Sequence, residues 1–174
     1  MKIYRRVIPK ISKDIVRSLL AKRAIEIEDG HRDEAELAVA AVLVEYLNSV
    51  DQLSADAEDA LQRHDLGAHM LGQVKKTLAE KRNISLGEDA KEFIIDAIIG
   101  SLFDSKHIIE VFEDDNELRL SVLAAMDKYL GVDEELDREV RNRLKNLREG
   151  TAEWEAEYGR LIGQMRGLKQ DAAT

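Results

Sequence analysis

Residues 23–36 read RAIEIEDGHRDEAE, and residues 107–119 read HIIEVFEDDNELR. Ile25-Glu26-Ile27 and Ile109-Glu110-Val111 alternate apolar and charged side chains, a period of two that suits extended backbone rather than helix. Each stretch then runs into acids that crowd the start of a helical pattern, where the helix dipole favours negative charge. Two such junctions in one chain imply helix, short extended stretch and long helix, written twice.

The match extends outward from these stretches. At a shift of 83 residues Ile15-Val16 falls on Ile98-Ile99, and Ser18-Leu19-Leu20 on Ser101-Leu102-Phe103. One inserted residue aligns Ile25-Glu26-Ile27 with Ile109-Glu110-Val111, after which Glu34, Leu37, Val39 and Tyr46-Leu47 meet Glu117, Leu120, Val122 and Tyr129-Leu130. LGQVK from Leu71 matches IGQMR from Ile162. Self-similarity of this kind marks a repeated supersecondary unit. The expected fold is all-α: two related helical units of about four helices each, packed together, over residues 1–86 and 87–174. The short extended stretches at 25–27 and 109–111 would either pair as a minimal ribbon or cross their own units.

Expected helices in the first unit are 9–23, 33–49, 54–64 and 67–82; in the second they are 88–105, 116–130, 133–148 and 151–168. Pro9 suits a first helical turn, where its missing N–H has no partner to lose. Ile8, Ile11, Ile15 and Leu19 share one face of the first helix. Glycines at 30, 67, 87, 131 and 150 punctuate the connections. Trp154, Tyr158, Leu161 and Met165 follow helical spacing and read as a core stripe.

The 174 residues, 44% apolar and 35% charged, suit one domain of ordinary size or two small, closely packed ones. There is no Cys, so neither a disulfide framework nor thiolate chemistry is available. No segment approaches the roughly 20 apolar residues that span a bilayer, and the basic N-terminus lacks an apolar run of the signal-peptide kind. A cytoplasmic protein is expected. The net charge of −9 is uneven: residues 1–86 hold 14 basic and 14 acidic side chains, whereas 87–174 hold 12 and 21.

LGVDEELDREVRNRL (130–144) and HDLGAHMLGQVKKTLAEKRNISL (64–86) resemble stretches of a bacterial family known as domain of unknown function 507, DUF507. Members carry an acidic Glu-Glu-x-Leu-x-x-Glu-Val segment, matched by Glu134, Glu135, Leu136, Glu139 and Val140. Their Met/Phe-rich helix ending in Lys-x-Lys-Leu-Ala is matched by Met70, Leu71, Val74, Lys75, Leu78 and Ala79. The resemblance covers nearly the whole chain taken as two tandem copies, although residues 51–61 lack the Glu-Glu pair. It implies a helical fold and no particular activity.

Chemistry-bearing patterns are few. Of the four histidines, His64 and His69 are the nearest in sequence, but their spacing places them about 140° apart around a helix, unlike zinc-binding pairs at i and i+4. The acids of 113–117 lack the central glycine and alternating spacing of a calcium loop and read as a helix start. No phosphate-cradling glycine motif is present. No catalytic residue, cofactor or metal ligand is therefore assigned, and the chain is read as not an enzyme.

Two features point to partners instead. Arg6, Lys10, Lys13 and Arg17 form a basic stripe opposite Ile8, Ile11, Ile15 and Leu19. Such a stripe is either a solvated face or a docking face for an acidic protein surface, including this chain's own acidic half. Nucleic acid ranks behind, because aromatic residues for base stacking are missing and the overall charge is negative. Membrane ranks last. Gly72 and Gly163 sit mid-helix away from the apolar stripes, and one explanation is the close approach of another backbone, from the other copy or, through self-association, from a second chain. The working reading is a non-catalytic interaction or scaffold protein. The alternative is a nucleic-acid-binding accessory protein using the same basic helix.

Overall fold

The first helix is built from the apolar spacing around Pro9. In the computed structural model, which describes residues 3–147, 157–158, 160–161 and 163–165, a 3₁₀ turn Arg5–Val7 leads into α1, Ile8–Ala21, with Pro9 in its first turn. Ile8, Ile11, Ile15, Val16 and Leu19 are buried along one side. The helix ends because Arg23 takes a left-handed φ of 57°. The Ala24 N–H then reaches back to the Leu19 carbonyl (2.9 Å) and the Arg23 N–H to Leu20 (3.0 Å). This capping satisfies carbonyls at the helix end and turns the chain into β1, Ile25–Ile27.

After β1 the chain reverses at Gly30, whose φ of 83° is the left-handed region open to glycine. It enters α2, Arg32–Arg63, with Asp33 and Glu34 in the first turn. A 3₁₀ turn Ala68–Met70 precedes α3, Leu71–Lys81. Then come α4, Ala90–Asp104, β2, Ile108–Val111, and α5, Asp115–Arg143. The order helix, short strand, long helix thus occurs twice among the described residues. The fold is mainly α-helical, and none of the described helices is long and apolar enough to cross a membrane.

α2 packs against α1, α3 and α4. Leu43 and Leu53 of α2, Ile94, Ile98 and Leu102 of α4, and Leu118 and Met126 of α5 are fully buried. α4 buries both Ile94/Ile98 and Ile95/Ile99, which is why its sequence reads as apolar over a broad surface. Tyr46 on α2 packs at a tilt on Phe93 of α4, with ring centroids 6.0 Å apart, and its hydroxyl donates to the Ser85 carbonyl (3.0 Å).

β1 and β2 pair with each other, antiparallel, with Ile25 opposite Val111, Glu26 opposite Glu110 and Ile27 opposite Ile108. The ladder is irregular between Glu26 and Ile27, which leaves Ile109 as the extra residue on β2. Of the two sequence alternatives, the ribbon is the one observed. Each short strand leaves backbone groups unpaired, and the other strand satisfies them.

Two expectations are corrected. The separate helices 33–49 and 54–64 are one helix, α2. Leu53 and Ala57 continue the buried face beyond Leu43, and the Ser54 hydroxyl bonds the Val50 carbonyl (3.0 Å) instead of capping a new helix. Likewise α5 runs through Gly131. One helical glycine costs about 1 kcal/mol relative to alanine, less than is gained by burying Leu130, Leu136 and Val140 on either side of it. Spatially, residues 3–127 form one compact unit and residues from 128 onward belong to a second. Within the second unit Leu136, Val140, Leu144 and Met165 form a core against which Leu147, Tyr158 and Leu161 pack. Of the expected stripe, Met165 is buried in this core and Tyr158 and Leu161 are half-buried against it; Trp154 lies outside the described residues.

Candidate functional site

At the open end of the ribbon, where β1 leaves and β2 enters, the backbone brings three titratable side chains together. The Glu28 N–H donates to the His107 carbonyl (2.9 Å), extending the ladder by one step. The His31 N–H donates to the Glu28 carbonyl (3.0 Å), closing the turn that Gly30 permits. The result is a face-to-face stack of the His31 and His107 rings, with centroids 4.2 Å apart and planes 9° from parallel.

Glu28 serves both rings. Its Oε2 is 3.1 Å from His107 Nδ1 and 3.7 Å from His31 Nε2. The hydrogen bond with His107, and then the charge of His31, hold the Glu28 carboxyl below its ordinary range. The other nitrogen of His31, Nδ1, is shielded from solvent without a well-formed hydrogen bond and lies 3.4 Å from a Glu34 carboxylate oxygen. Glu28, His31 and His107 each offer one ligand atom, all within 4.8 Å of one another. These residues could hold a cation.

This cluster is not legible from spacing along the chain, where His64 and His69 are the neighbouring histidines, and both of those are exposed. His31 and His107 come together through the ribbon. The signal that finds them is the pairing itself: with Ile27 opposite Ile108, the next antiparallel step places Glu28 beside His107.

The basic stripe lies where the helical spacing placed it. Lys10, Lys13 and Arg17 are exposed on α1, opposite its buried isoleucines. Lys10 and Lys13 have no ion-pair partner among the described residues. Arg17 does: its guanidinium pairs with Asp14, which is buried. Part of the stripe therefore serves the fold, neutralising the one acid that α1 carries. Arg6 lies in the 3₁₀ turn before α1, and its side chain falls outside the described residues. At Gly72 and Gly163 no other backbone comes close among the described residues. Both are exposed, and a Cβ added at either would meet no atom within 4 Å. Neither glycine is required by packing within the described residues.

A cleft of about 430 Å³ opens between α2 and α4. Val42, Tyr46, Ile84 and Phe93 contribute apolar walls, and Glu45 and Asp104 stand at its side. The acids at the start of α5 do what acids at a helix start do: the Asp114 carboxylate accepts the Glu117 N–H (3.0 Å), while Asp115 and Glu117 occupy the first turn.

The family model for DUF507, described as a protein of unknown function, matches residues 1–169. No curated protein matches the chain. The chain belongs to the DUF507 family.

Proposed function

We propose that this DUF507 protein is a non-catalytic interaction protein that presents the basic face of α1 to an acidic protein surface. One observation carries the reading. Lys10 and Lys13 project from a helix whose opposite face is wholly buried, and neither takes part in an ion pair among the described residues. A solvated lysine costs little, but Lys10 and Lys13 lie together on one face and give a localised positive potential on a chain of net charge −9. The recurrence of helix, strand and long helix supports reading the chain as two tandem copies of one unit. The cysteine-free composition suits the cytoplasm.

The test compares wild type with a Lys10→Gln/Lys13→Gln variant in affinity capture from the native cell, with and without nuclease. A nuclease-resistant protein partner that the variant loses supports the reading. The nucleic-acid alternative expects the wild type to bind DNA or RNA with a steep salt dependence, its slope falling by about 0.7–0.9 per phosphate contact removed. That result would replace the proposal.

A further inference from the structure

We propose that Glu28, His31 and His107 form a binding site for one divalent transition-metal ion of the zinc class, and that the bound ion clips the two strands of the ribbon together at one end. The donor set decides the class. Two imidazole nitrogens and one carboxylate oxygen suit zinc and its first-row neighbours, whereas calcium and magnesium take oxygen ligands.

The three donor atoms are already gathered in one place, all within 4.8 Å of one another. Tetrahedral ligands at bond lengths of about 2 Å lie roughly 3.3 Å from one another. Here Glu28 Oε2 is 3.1 Å from His107 Nδ1 and 3.7 Å from His31 Nε2. Because a nitrogen lone pair lies in the plane of its ring and the two rings stack 9° from parallel, ligation also requires at least one imidazole to rotate out of the stack about its side-chain torsions. In its neutral form each imidazole offers one lone pair. Placing the His31 proton on Nδ1, beside the Glu34 carboxylate at 3.4 Å, leaves the Nε2 lone pair on the Glu28 side. A ligating histidine whose second nitrogen faces a carboxylate is the usual outer-shell arrangement of zinc sites. An ion pair alone accounts for Glu28 and His107 but leaves His31 Nδ1 out of solvent without a well-formed hydrogen bond. Ligation through Nε2 is compatible with that orientation, since it leaves the Nδ1 proton facing Glu34.

Three protein ligands leave a fourth position for water, and Glu28 is half exposed, so an ion can enter from solvent. Glu28 and His31 lie just after β1, and His107 lies just before β2. The ion would bridge segments that are otherwise joined by the short ladder, and would stabilise the folded chain by binding it in preference to the unfolded one.

The experiment titrates the full chain, stripped of metal by chelator, with Zn(II) by calorimetry and with Co(II) by visible absorption. The expected result is one ion per chain, the absorption of a four-coordinate site with Co(II), and a rise in Tm with Zn(II). Affinity should fall with acidification as protons compete for the imidazoles. His31→Gln, His107→Gln and Glu28→Gln should each weaken binding by more than about tenfold, and Glu34→Gln by about tenfold with unchanged stoichiometry. Circular dichroism checks that these variants fold. A His64→Gln/His69→Gln variant, altered only at exposed positions, should bind as wild type and locates the site even if a ribbon variant misfolds. Absence of binding by wild type, or loss of binding in the His64/His69 variant, would overturn the proposal.

Discussion

Ile25 lies opposite Val111 across the ribbon, and Ile109, its partner in the sequence match, is the residue the ladder skips. The consequence is a difference in burial: Ile25 is 3% exposed and Ile109 62%. Ile25→Ala should therefore destabilise the protein by about 2–5 kcal/mol, the range for large core deletions. Ile109→Ala should stay within about ±0.5 kcal/mol, as surface changes do. Urea unfolding of both variants checks this, and equal effects would contradict the observed register.

The basic face separates into two roles. Lys10→Gln and Lys13→Gln should each change stability by less than about 0.5 kcal/mol, since both side chains are exposed. Arg17→Gln should cost about 1 kcal/mol or more, because it removes the guanidinium paired with the buried Asp14 carboxylate. Thermal denaturation of the three single variants at low salt gives the comparison.

Continuity of α2 is tested with proline. Asp51 is exposed in the middle of this 32-residue helix. Asp51→Pro should cost about 3 kcal/mol or more, by removing a helical hydrogen bond and clashing with the preceding turn. Asp51→Ala, which loses only the exposed ion pair to Arg5, should cost less than about 1 kcal/mol. A connection at this point, as the sequence suggested, would tolerate the proline.

Asp56 joins α2 to the end of α3. It accepts from the Gln52 amide (2.8 Å) and pairs with Arg82 (2.5 Å), and these two bonds, in that order of weight, hold its carboxyl below the ordinary aspartate range. A carboxyl depressed in the folded state adds stability above its unfolded value and loses it as pH falls through the folded one. Wild type should therefore lose stability more steeply than Asp56→Asn below about pH 4. Urea midpoints from pH 6 down to pH 2.5, at constant ionic strength, measure the difference.

Much of the local structure was legible in the sequence because it depends on neighbours a few residues apart. The spacing of Ile8, Ile11, Ile15 and Leu19 defines the buried face of α1, and Pro9 its first turn. Alternation at Ile25–Ile27 marks an extended stretch, and acids mark the starts of α2 and α5. The same local rules misplaced breaks at residues 50–53 and at Gly131. A mid-helix glycine carries a penalty of about 1 kcal/mol, and burial of Leu136 and Val140 outweighs it, as burial of Leu53 and Ala57 carries α2 through 50–53.

Tertiary structure alone decided which extended residues pair, and therefore which side chains meet. The sequence match aligns Ile25 with Ile109 in parallel. The backbone pairs the strands antiparallel, with one residue skipped, because hydrogen-bond groups are satisfied by direction and register rather than by sequence likeness. From that register follow the exposure of Ile109, the placing of Glu28 beside His107 and the stacking of His107 on His31. No periodicity along the chain encodes these contacts. They arise where two distant turns are brought to the same end of one small ribbon.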